Sequence, residues 1–134
     1  MDLGITNPLV STYGNLAECV APQSYDGKIL LGGNFSYTNS SPKSNLLRLN
    51  TDGSYDAGFL GGQSGPNGTV RALAMLDHGQ ILVGGSFTSV NGSVATNLAR
   101  LYSSGAVDTF YFTPPQLGPI QAITVQPNGR ILLG

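Results

Sequence analysis

The chain has 134 residues, of which only 10% are charged, and its formal net charge at pH 7 is -1. This length suits one domain with a sizeable core, and so weak a charge excludes a field strong enough to hold nucleic acid or an anionic membrane. A single cysteine excludes an internal disulfide, and no apolar run is long enough to span a bilayer. Nineteen glycines, with many Asn, Ser and Thr, favour short strands and tight turns, so we expect an all-β fold.

In chain order, the sequence divides into copies of one unit. Residues 27–58 align without gaps with residues 79–110, and fourteen of the 32 aligned residues are identical, which is enough to identify a repeat. The identities concentrate in GKILLGGNF against GQILVGGSF and in NLLRL against NLARL, and a third copy begins as GRILLG. We therefore predict a single repeat array, divided into the end of a preceding unit at 1–15, complete units at 16–59 and 70–112, and the first two strands of a third at 120–134.

Each unit is predicted to contain four short antiparallel strands, a to d. In the second unit these are Val70–Leu76, Ile81–Gly85, Leu98–Leu101 and a segment around Val107–Phe110. Strand a aligns with the segment at Ile120 and, with two extra residues before Asp26, with LAECVA at Leu16. Glycine-ended pairs predict two-residue primed turns between a and b and between c and d, at Asp26-Gly27, His78-Gly79, Asn128-Gly129, Asp52-Gly53 and Ser104-Gly105.

Strand b is apolar at successive positions, as in Ile81-Leu82-Val83, so both faces of its sheet must be buried. Strand a carries bulky residues on one face and small ones on the other, and the glycine pairs at the end of strand b, Gly32-Gly33 and Gly84-Gly85, would let neighbouring backbones approach closely. Sheets buried on both faces are typical of successive β-propeller blades. Strand d, which contains Asp56 and Asp108, is expected to be a polar outer edge.

The runs DGKILLGGNF and NLLRLNTDGSYD, matched by HGQILVGGSF and NLARLYSSGAVD, resemble the delta-60 repeat, which occurs in bacterial and phage-associated proteins. Members of that family are similar to β-propellers of about seven blades. The resemblance implies a scaffold in extracellular, cell-surface or virion proteins, and it brings no established catalytic residues. Leu76-Asp77 departs from the Gln-Pro usual in the family, a difference that affects a loop.

A closed propeller needs four to eight blades, which at this repeat length means roughly 200 to 400 residues. Two complete units and parts of two others would leave apolar sheet faces uncovered. We therefore expect further blades as partners, either in a longer polypeptide or through association of several copies into one ring.

The turn between strands c and d of the first unit contains oxygen ligands at a spacing similar to that of calcium loops, namely Asn50, Asp52 and Asp56. A hairpin turn explains the same residues without a metal, so we predict no metal and no cofactor. Arg48 and Arg100 recur eight residues before Asp56 and Asp108, which predicts structural ion pairs across the c to d hairpin.

Catalysis would require the lone cysteine and the lone histidine to meet. Cys19 lies in an apolar strand and His78 in a turn of the next unit, so the sequence predicts no enzyme.

The divergent b to c and d to a connections must emerge at one end of the blades and form a loop face. They are Asn34–Ser44, Leu60–Thr69, Ser86–Thr96 and Phe112–Pro119. The ligand candidates are Tyr37, Asn39 and Asn91 within them, and Tyr111 immediately before the fourth. We predict a non-catalytic structural or binding module of a virion tail or fibre or of a cell-surface protein. The alternatives are a carbohydrate-binding adhesin that uses the loop face and, least favoured, an enzyme.

Overall fold

The computed structural model describes residues 16–37, 43–111 and 117–134. These ranges contain ten strands and two short 3-10 helices, the latter at Phe59–Gly62 and Asp77–Gly79. The strands are β1 Leu16–Pro22, β2 Ile29–Tyr37, β3 Lys43–Leu49, β4 Thr69–Met75, β5 Ile81–Ser86, β6 Ser89–Val90, β7 Ser93–Val94, β8 Leu98–Leu101, β9 Ile123–Val125 and β10 Ile131–Leu133. Within the same ranges no helix is long and apolar enough to cross a membrane.

The strands form one antiparallel sheet per repeat. The first blade has the order β1-β2-β3, the second has β4-β5-β8, and the third is the pair β9-β10. A small hairpin, β6-β7, lies in the connection between β5 and β8. The predicted strands a, b and c are thus confirmed as β4, β5 and β8, and the fold class is all-β and built of propeller blades.

The fourth strand of each blade is much shorter than the sequence suggests. Strand d is reduced to single bridges, Leu49 with Tyr55 and Leu101 with Val107. The carboxylate Oδ1 atoms of Asp56 and Asp108 accept hydrogen bonds from backbone amides two residues later, at 3.2 Å and 3.1 Å. Because these local bonds bend the chain, the ladder cannot continue, and the prediction of a regular strand at 107–110 is wrong.

The tight turns also differ in detail from the prediction. The glycines that end all five turns do take positive φ, between 74° and 92°. At Gly53, however, the amide donates to the Asn50 carbonyl at 3.0 Å while the Asn50 amide donates to the Ser54 carbonyl at 2.8 Å. Three residues therefore form the loop, which is the usual type with a left-handed glycine at its end.

The register of β1 corrects the alignment of the first blade. Pro22 pairs with Ile29 as Met75 pairs with Ile81, so the connection in the first blade is one residue longer than that in the second. The prediction of two extra residues is wrong, because LAECVA and the second inner strand share too little sequence similarity to fix their alignment. Both inner strands contain a bulge at the equivalent position, so the bulge does not change the count.

The core lies between blades, as the two-sided apolar pattern predicts. Ile81, Leu82 and Val83 are all fully buried, although their side chains alternate between the two faces of β5. One apolar cluster joins Leu30 and Leu46 of the first blade to Ile81 and Val83 of the second. Burial on both faces is thereby confirmed, and each blade depends on its neighbour for part of its core.

Two glycines within the b strands, Gly32 in β2 and Gly84 in β5, set the distance between blades. A Cβ atom at Gly32 would lie 2.5 Å from Val70 Cγ1 on the second blade, and one at Gly84 would lie 2.7 Å from Ile120 Cγ2 on the segment leading to the third. Because real Cβ contacts are never this short, only glycine allows the observed packing. The predicted close approach of backbones is confirmed.

Candidate functional site

Two ion pairs occupy the same position in the first and second blades. Arg48 Nε donates to Asp56 Oδ2 at 2.8 Å, and Arg100 Nε and Nη2 both donate to Asp108 Oδ2, at 2.9 Å and 2.6 Å. Charge-assisted hydrogen bonds of this length are strong when water is largely excluded. The predicted structural pairs across the c to d hairpin are confirmed.

Each of these arginines also stacks on an aromatic ring from the segment that follows its aspartate. Arg48 Cζ lies 4.4 Å from the centre of the Phe59 ring, and Arg100 Cζ lies 4.4 Å from the centre of the Tyr111 ring. A guanidinium over an aromatic face is attracted by the ring quadrupole. Arginine, aspartate and aromatic ring therefore form one recurring cluster, which we call the arginine cluster of each blade.

The arginine cluster of the first blade holds a turn of the second. Arg48 Nη1 donates to the Ser103 carbonyl at 2.5 Å, and the Leu60 amide donates to the Ser104 carbonyl at 2.9 Å. A Cβ atom at Gly105 would lie 2.7 Å from the Leu60 backbone nitrogen, so the turn must end in glycine. Because Ser103 to Gly105 form the c to d turn, the cluster serves recognition between blades.

A recurring asparagine, which the predictions from sequence did not include, links each blade to the segment that leads to the next. Asn45 is the third residue of β3 and Asn97 immediately precedes β8, with left-handed φ values of 65° and 63°. Their Oδ1 atoms accept from the amides of Phe35 and Phe87, both at 3.1 Å. Their Nδ2 atoms donate to carbonyls at the entrance to the following blade, at 3.1 Å and 2.7 Å. The sequence did contain a signal for this role: an asparagine precedes the apolar run of strand c in both repeats, and asparagine tolerates a left-handed φ.

The carboxylates of both arginine clusters are held in the ionised form. Burial opposes ionisation of Asp56, but hydrogen bonds from Lys28 and Arg48 outweigh it and keep the pKa below its ordinary value. The pKa of Asp108 is lowered mainly by its hydrogen bond from Arg100. The two aspartates of the predicted polar edge therefore face basic side chains and not solvent.

We expect the blades to lose stability in acid. A carboxyl group whose pKa is lower when folded stabilises the fold above its unfolded pKa of about 4, and this contribution is lost as pH falls through the folded value. The urea midpoint should therefore be constant near neutrality and should fall below about pH 4. The double variant Asp56→Asn, Asp108→Asn should show a flatter profile; an equally steep profile would assign the acid sensitivity to other groups.

The three calcium candidates are engaged in hydrogen bonds within the turn or with cations. Asp52 Oδ1 accepts from the amide and the hydroxyl of Ser54, at 2.9 Å and 2.6 Å, and Asn50 Nδ2 donates to the same hydroxyl at 3.1 Å. Asp56 Oδ2 accepts from Lys28 Nζ at 2.9 Å as well as from Arg48. Across the described ranges, no group of three acidic, histidine or cysteine side chains is placed to hold a metal ion.

Two of the four ligand candidates can be placed. Asn91 Nδ2 donates to the Gly105 carbonyl at 3.1 Å, and its Oδ1 accepts from the Gly65 amide at 3.0 Å, so its side chain ties the β6-β7 hairpin to the c to d turn and to the connection between the blades. Tyr111 is half-buried under its arginine. Asn39 and the side chain of Tyr37 lie outside the described residues.

The described loop face is more packed than the sequence suggests. Leu60 and Pro66 in the d to a connection are buried, as are Val90 and Ala95 in the b to c connection. Two stretches of these connections remain exposed: residues 61–64 of the d to a connection, and the tip of the β6-β7 hairpin around Gly92 and Val94. The buried residues anchor both connections, and these exposed stretches are available for binding.

Cys19 and His78 have different surroundings. The Cys19 thiol is half-buried, lies 3.9 Å from the Val70 carbonyl, and has its pKa raised to about 11, chiefly by burial. It is therefore protonated at neutral pH, which makes it a poor nucleophile. His78 lies exposed in the turn between β4 and β5, where it takes a left-handed φ of 60°.

Two segments of the chain, residues 26–59 and 79–110, match a family described as "Domain of unknown function (DUF5122) beta-propeller". These segments are the two complete repeats without their inner strands, and together they cover just under half of the chain. The match supports a β-propeller repeat family, but it does not identify that family as the delta-60 repeat. No curated protein and no solved structure is significantly similar to the chain.

Proposed function

Because the chain consists of β-propeller blades, we propose that it is a non-catalytic structural and binding module of a larger surface assembly, such as a virion tail or fibre or a cell-surface protein. Its blades supply a rigid array, and its exposed hairpin tips supply the contact with a protein or glycan ligand. Further blades, in the same polypeptide or in other copies, are its structural partners.

One observation carries this proposal: the polar side chains that recur in both blades are engaged in holding the blades. Arg48, Asp56 and Asn45 in the first blade, like their counterparts in the second, contact other parts of the fold at hydrogen-bond distance. Catalytic groups instead need free space beside them in which the reacting atom of a substrate can lie. The recurring residues therefore support a scaffold role.

The β6-β7 hairpin supports ligand binding at the loop face. Asn67 fixes its base, because Asn67 Oδ1 accepts from the amides of Thr88 and Ser89, at 2.9 Å and 3.1 Å. Val90, at the end of β6, is fully buried, whereas Gly92 at the tip is exposed. A Cβ atom placed at Gly92 would have nothing within 4 Å. A rigid support with an exposed tip lowers the entropy lost on binding.

The binding role is tested by adding a side chain at that tip. Gly92 has φ 78°, which asparagine tolerates, so Gly92→Asn should fold normally and obstruct a ligand at the tip. Gly129→Asn is the matched control, since Gly129 has φ 82°, equal free space, and a place in a tight turn at the other end. Binding to a glycan array or to a surface extract should fall at least tenfold in Gly92→Asn and stay unchanged in Gly129→Asn. Equal binding by the two variants would exclude the hairpin tip as the binding site.

The surface role has a separate test. Antibodies raised against the chain should label intact particles or unbroken cells of the source organism at their outer surface. Labelling that appears only after the cells are broken would exclude a surface assembly. Turnover of a substrate by the purified chain, abolished by Asp56→Asn, would instead show that the module is catalytic.

A further inference from the structure

A cleft separates the a to b connection of the second blade from that of the third. It has a volume of about 620 Å³ and lies at the tight-turn end of the blades, opposite the loop face. Its walls are residues 75–78 and 80 of the second blade and residues 125–129 of the third. Both connections are described in full, because each lies between two strands that pair with one another.

The equivalent space between the first and second blades is crossed by a tyrosine. Tyr25 belongs to the a to b connection of the first blade, and its hydroxyl oxygen lies 3.1 Å from the position of a Cβ atom at Gly79 in the second. Gln23 Nε2 donates to the same hydroxyl at 2.5 Å. Tyr25 is 58% exposed, so part of its phenol ring stays in contact with solvent. The molecule itself therefore contains a phenol held between two a to b connections.

The sequence of the turn explains why the second space is open. The connection of the second blade is one residue shorter than that of the first, although the flanking strands keep equivalent registers. When the two connections are aligned on their turn glycines, Asp77 occupies the place of Tyr25. So short a side chain does not cross the gap. The difference between the two spaces thus arises within a turn that the chain contains completely.

The polar side chains of the cleft are free to bind. Within the described ranges, the side chains of Asp77, His78 and Gln126 make no hydrogen bond to the protein. They differ in this from the recurring polar residues, which hold the blades together. Met75 and Pro127 add apolar surface to the walls. The cleft therefore combines a surface for a ring with donors and acceptors for a hydroxyl group.

We propose that this cleft is a binding site for a tyrosine side chain presented by another protein, which takes the position that Tyr25 takes between the first two blades. The ring packs on Met75 and Pro127, and the hydroxyl donates to the Asp77 carboxylate and accepts from a side-chain amide. Because the cleft is open, the main chain that carries the tyrosine remains outside it. The site is separate from the hairpin tip, so this inference does not depend on ligand binding at the loop face.

The charge of the cleft restricts its occupant. The walls contain one carboxylate and neither lysine nor arginine. A neutral phenol therefore fits, whereas the phosphate group of a phosphorylated tyrosine would be repelled by Asp77 and would find no basic partner.

The test adds N-acetyltyrosinamide to the whole chain and follows the amide chemical shifts. We expect saturable shifts at residues 76–80 and 126–129. N-acetylphenylalaninamide should bind roughly tenfold more weakly, because without the hydroxyl the polar groups of the cleft stay unpaired. The phosphorylated tyrosine amide should cause no saturable shift. Equal affinity for the tyrosine and phenylalanine amides would overturn the proposal, since it would indicate a nonspecific apolar surface.

Three variants place the site. Asp77→Tyr should weaken the tyrosine amide roughly tenfold or more, because the new ring would occupy the cleft as Tyr25 occupies the first gap. Ala57→Tyr is the matched control, since it adds the same ring at an exposed position outside the cleft, and it should bind as the parent does. Tyr25→Ala should open the first gap and add a second set of shifts, at residues 23–28.

Three further results would each overturn the proposal: no saturable shift in a chain that melts cooperatively, equal binding by Asp77→Tyr and Ala57→Tyr, and no second set of shifts in Tyr25→Ala. The outcome is independent of the loop face. Gly129→Asn adds a side chain at a wall of the cleft and should weaken the tyrosine amide, whereas Gly92→Asn should not. Binding to the glycan array should show the reverse pattern, so either proposal can fail while the other holds.

Discussion

Replacement of Gly32 by alanine should destabilise the chain by about 2 to 3 kcal/mol, the usual cost of forcing an extra methyl group into a packed core. The added Cβ would lie 2.5 Å from Val70 Cγ1 and 2.7 Å from Cys19 Sγ. Val70 is fully buried and cannot move away without displacing β4, so the two blades must separate. The loss is measured as a lower urea midpoint at unchanged slope.

Two further variants identify the cause of that loss. Gly118→Ala is the control, because nothing lies within 4 Å of a Cβ at Gly118, and its stability should change by less than about 0.5 kcal/mol. In a Val70→Ala background the cost of Gly32→Ala should fall by about half or more, since the clashing methyl group has been removed. Equal costs in both backgrounds would show that Val70 does not set the spacing of the blades.

Replacement of Arg48 by methionine should cost about 3 kcal/mol of unfolding free energy, the lower end of the range for breaking a buried ion pair. Methionine keeps the length and the apolar stem of the side chain but removes the bonds to Asp56 and to the Ser103 carbonyl. The loss should be less than the full value because Lys28 still contacts Asp56 at 2.9 Å. Chemical denaturation monitored by tyrosine fluorescence provides the measurement.

Arg100→Met is the internal comparison for that prediction. It removes the equivalent ion pair and the stacking on Tyr111, but it breaks no contact to another blade in the described part of the chain. Asp56 keeps Lys28 after Arg48→Met, whereas Asp108 has no second cation in the described ranges, so both changes are made in the Asp56→Asn, Asp108→Asn background. There the cost of Arg100→Met should be clearly smaller than that of Arg48→Met. If the two costs were equal, the bond from Arg48 to the turn of the second blade would contribute nothing, and blade recognition would depend on apolar packing alone.

These expectations share one structural cause. Each blade has a face that is completed by its neighbour, and the neighbour is recognised through a glycine-ended turn, a guanidinium and a close glycine contact. Stability and assembly are therefore properties of the same surface. In a repeat array of this kind, the contacts between nearest neighbours contribute much of the folding free energy.

The sequence predicted the recurring ion pairs for a simple reason. Arg48 and Asp56 recur at the same spacing as Arg100 and Asp108, and opposite charges in a short hairpin must face each other. It could not predict that Asn91 would bond to Gly105 or that Arg48 would bond to Ser103. Those contacts join residues 14 and 55 positions apart. The first depends on how the β6-β7 hairpin folds back onto the c to d turn of its own blade, and the second on how that blade docks on the first.

The sequence alone determined the repeat, the all-β class and the two-sided burial of strand b, because periodicity and apolar runs are local properties of the chain. Only the tertiary structure decided that strand d ends at a single bridge, that the inner strands are bulged, and that the connecting loops are partly buried. In each case a local preference competes with a partner from elsewhere in the chain. The outcome depends on distances that come into existence only when the blades pack together.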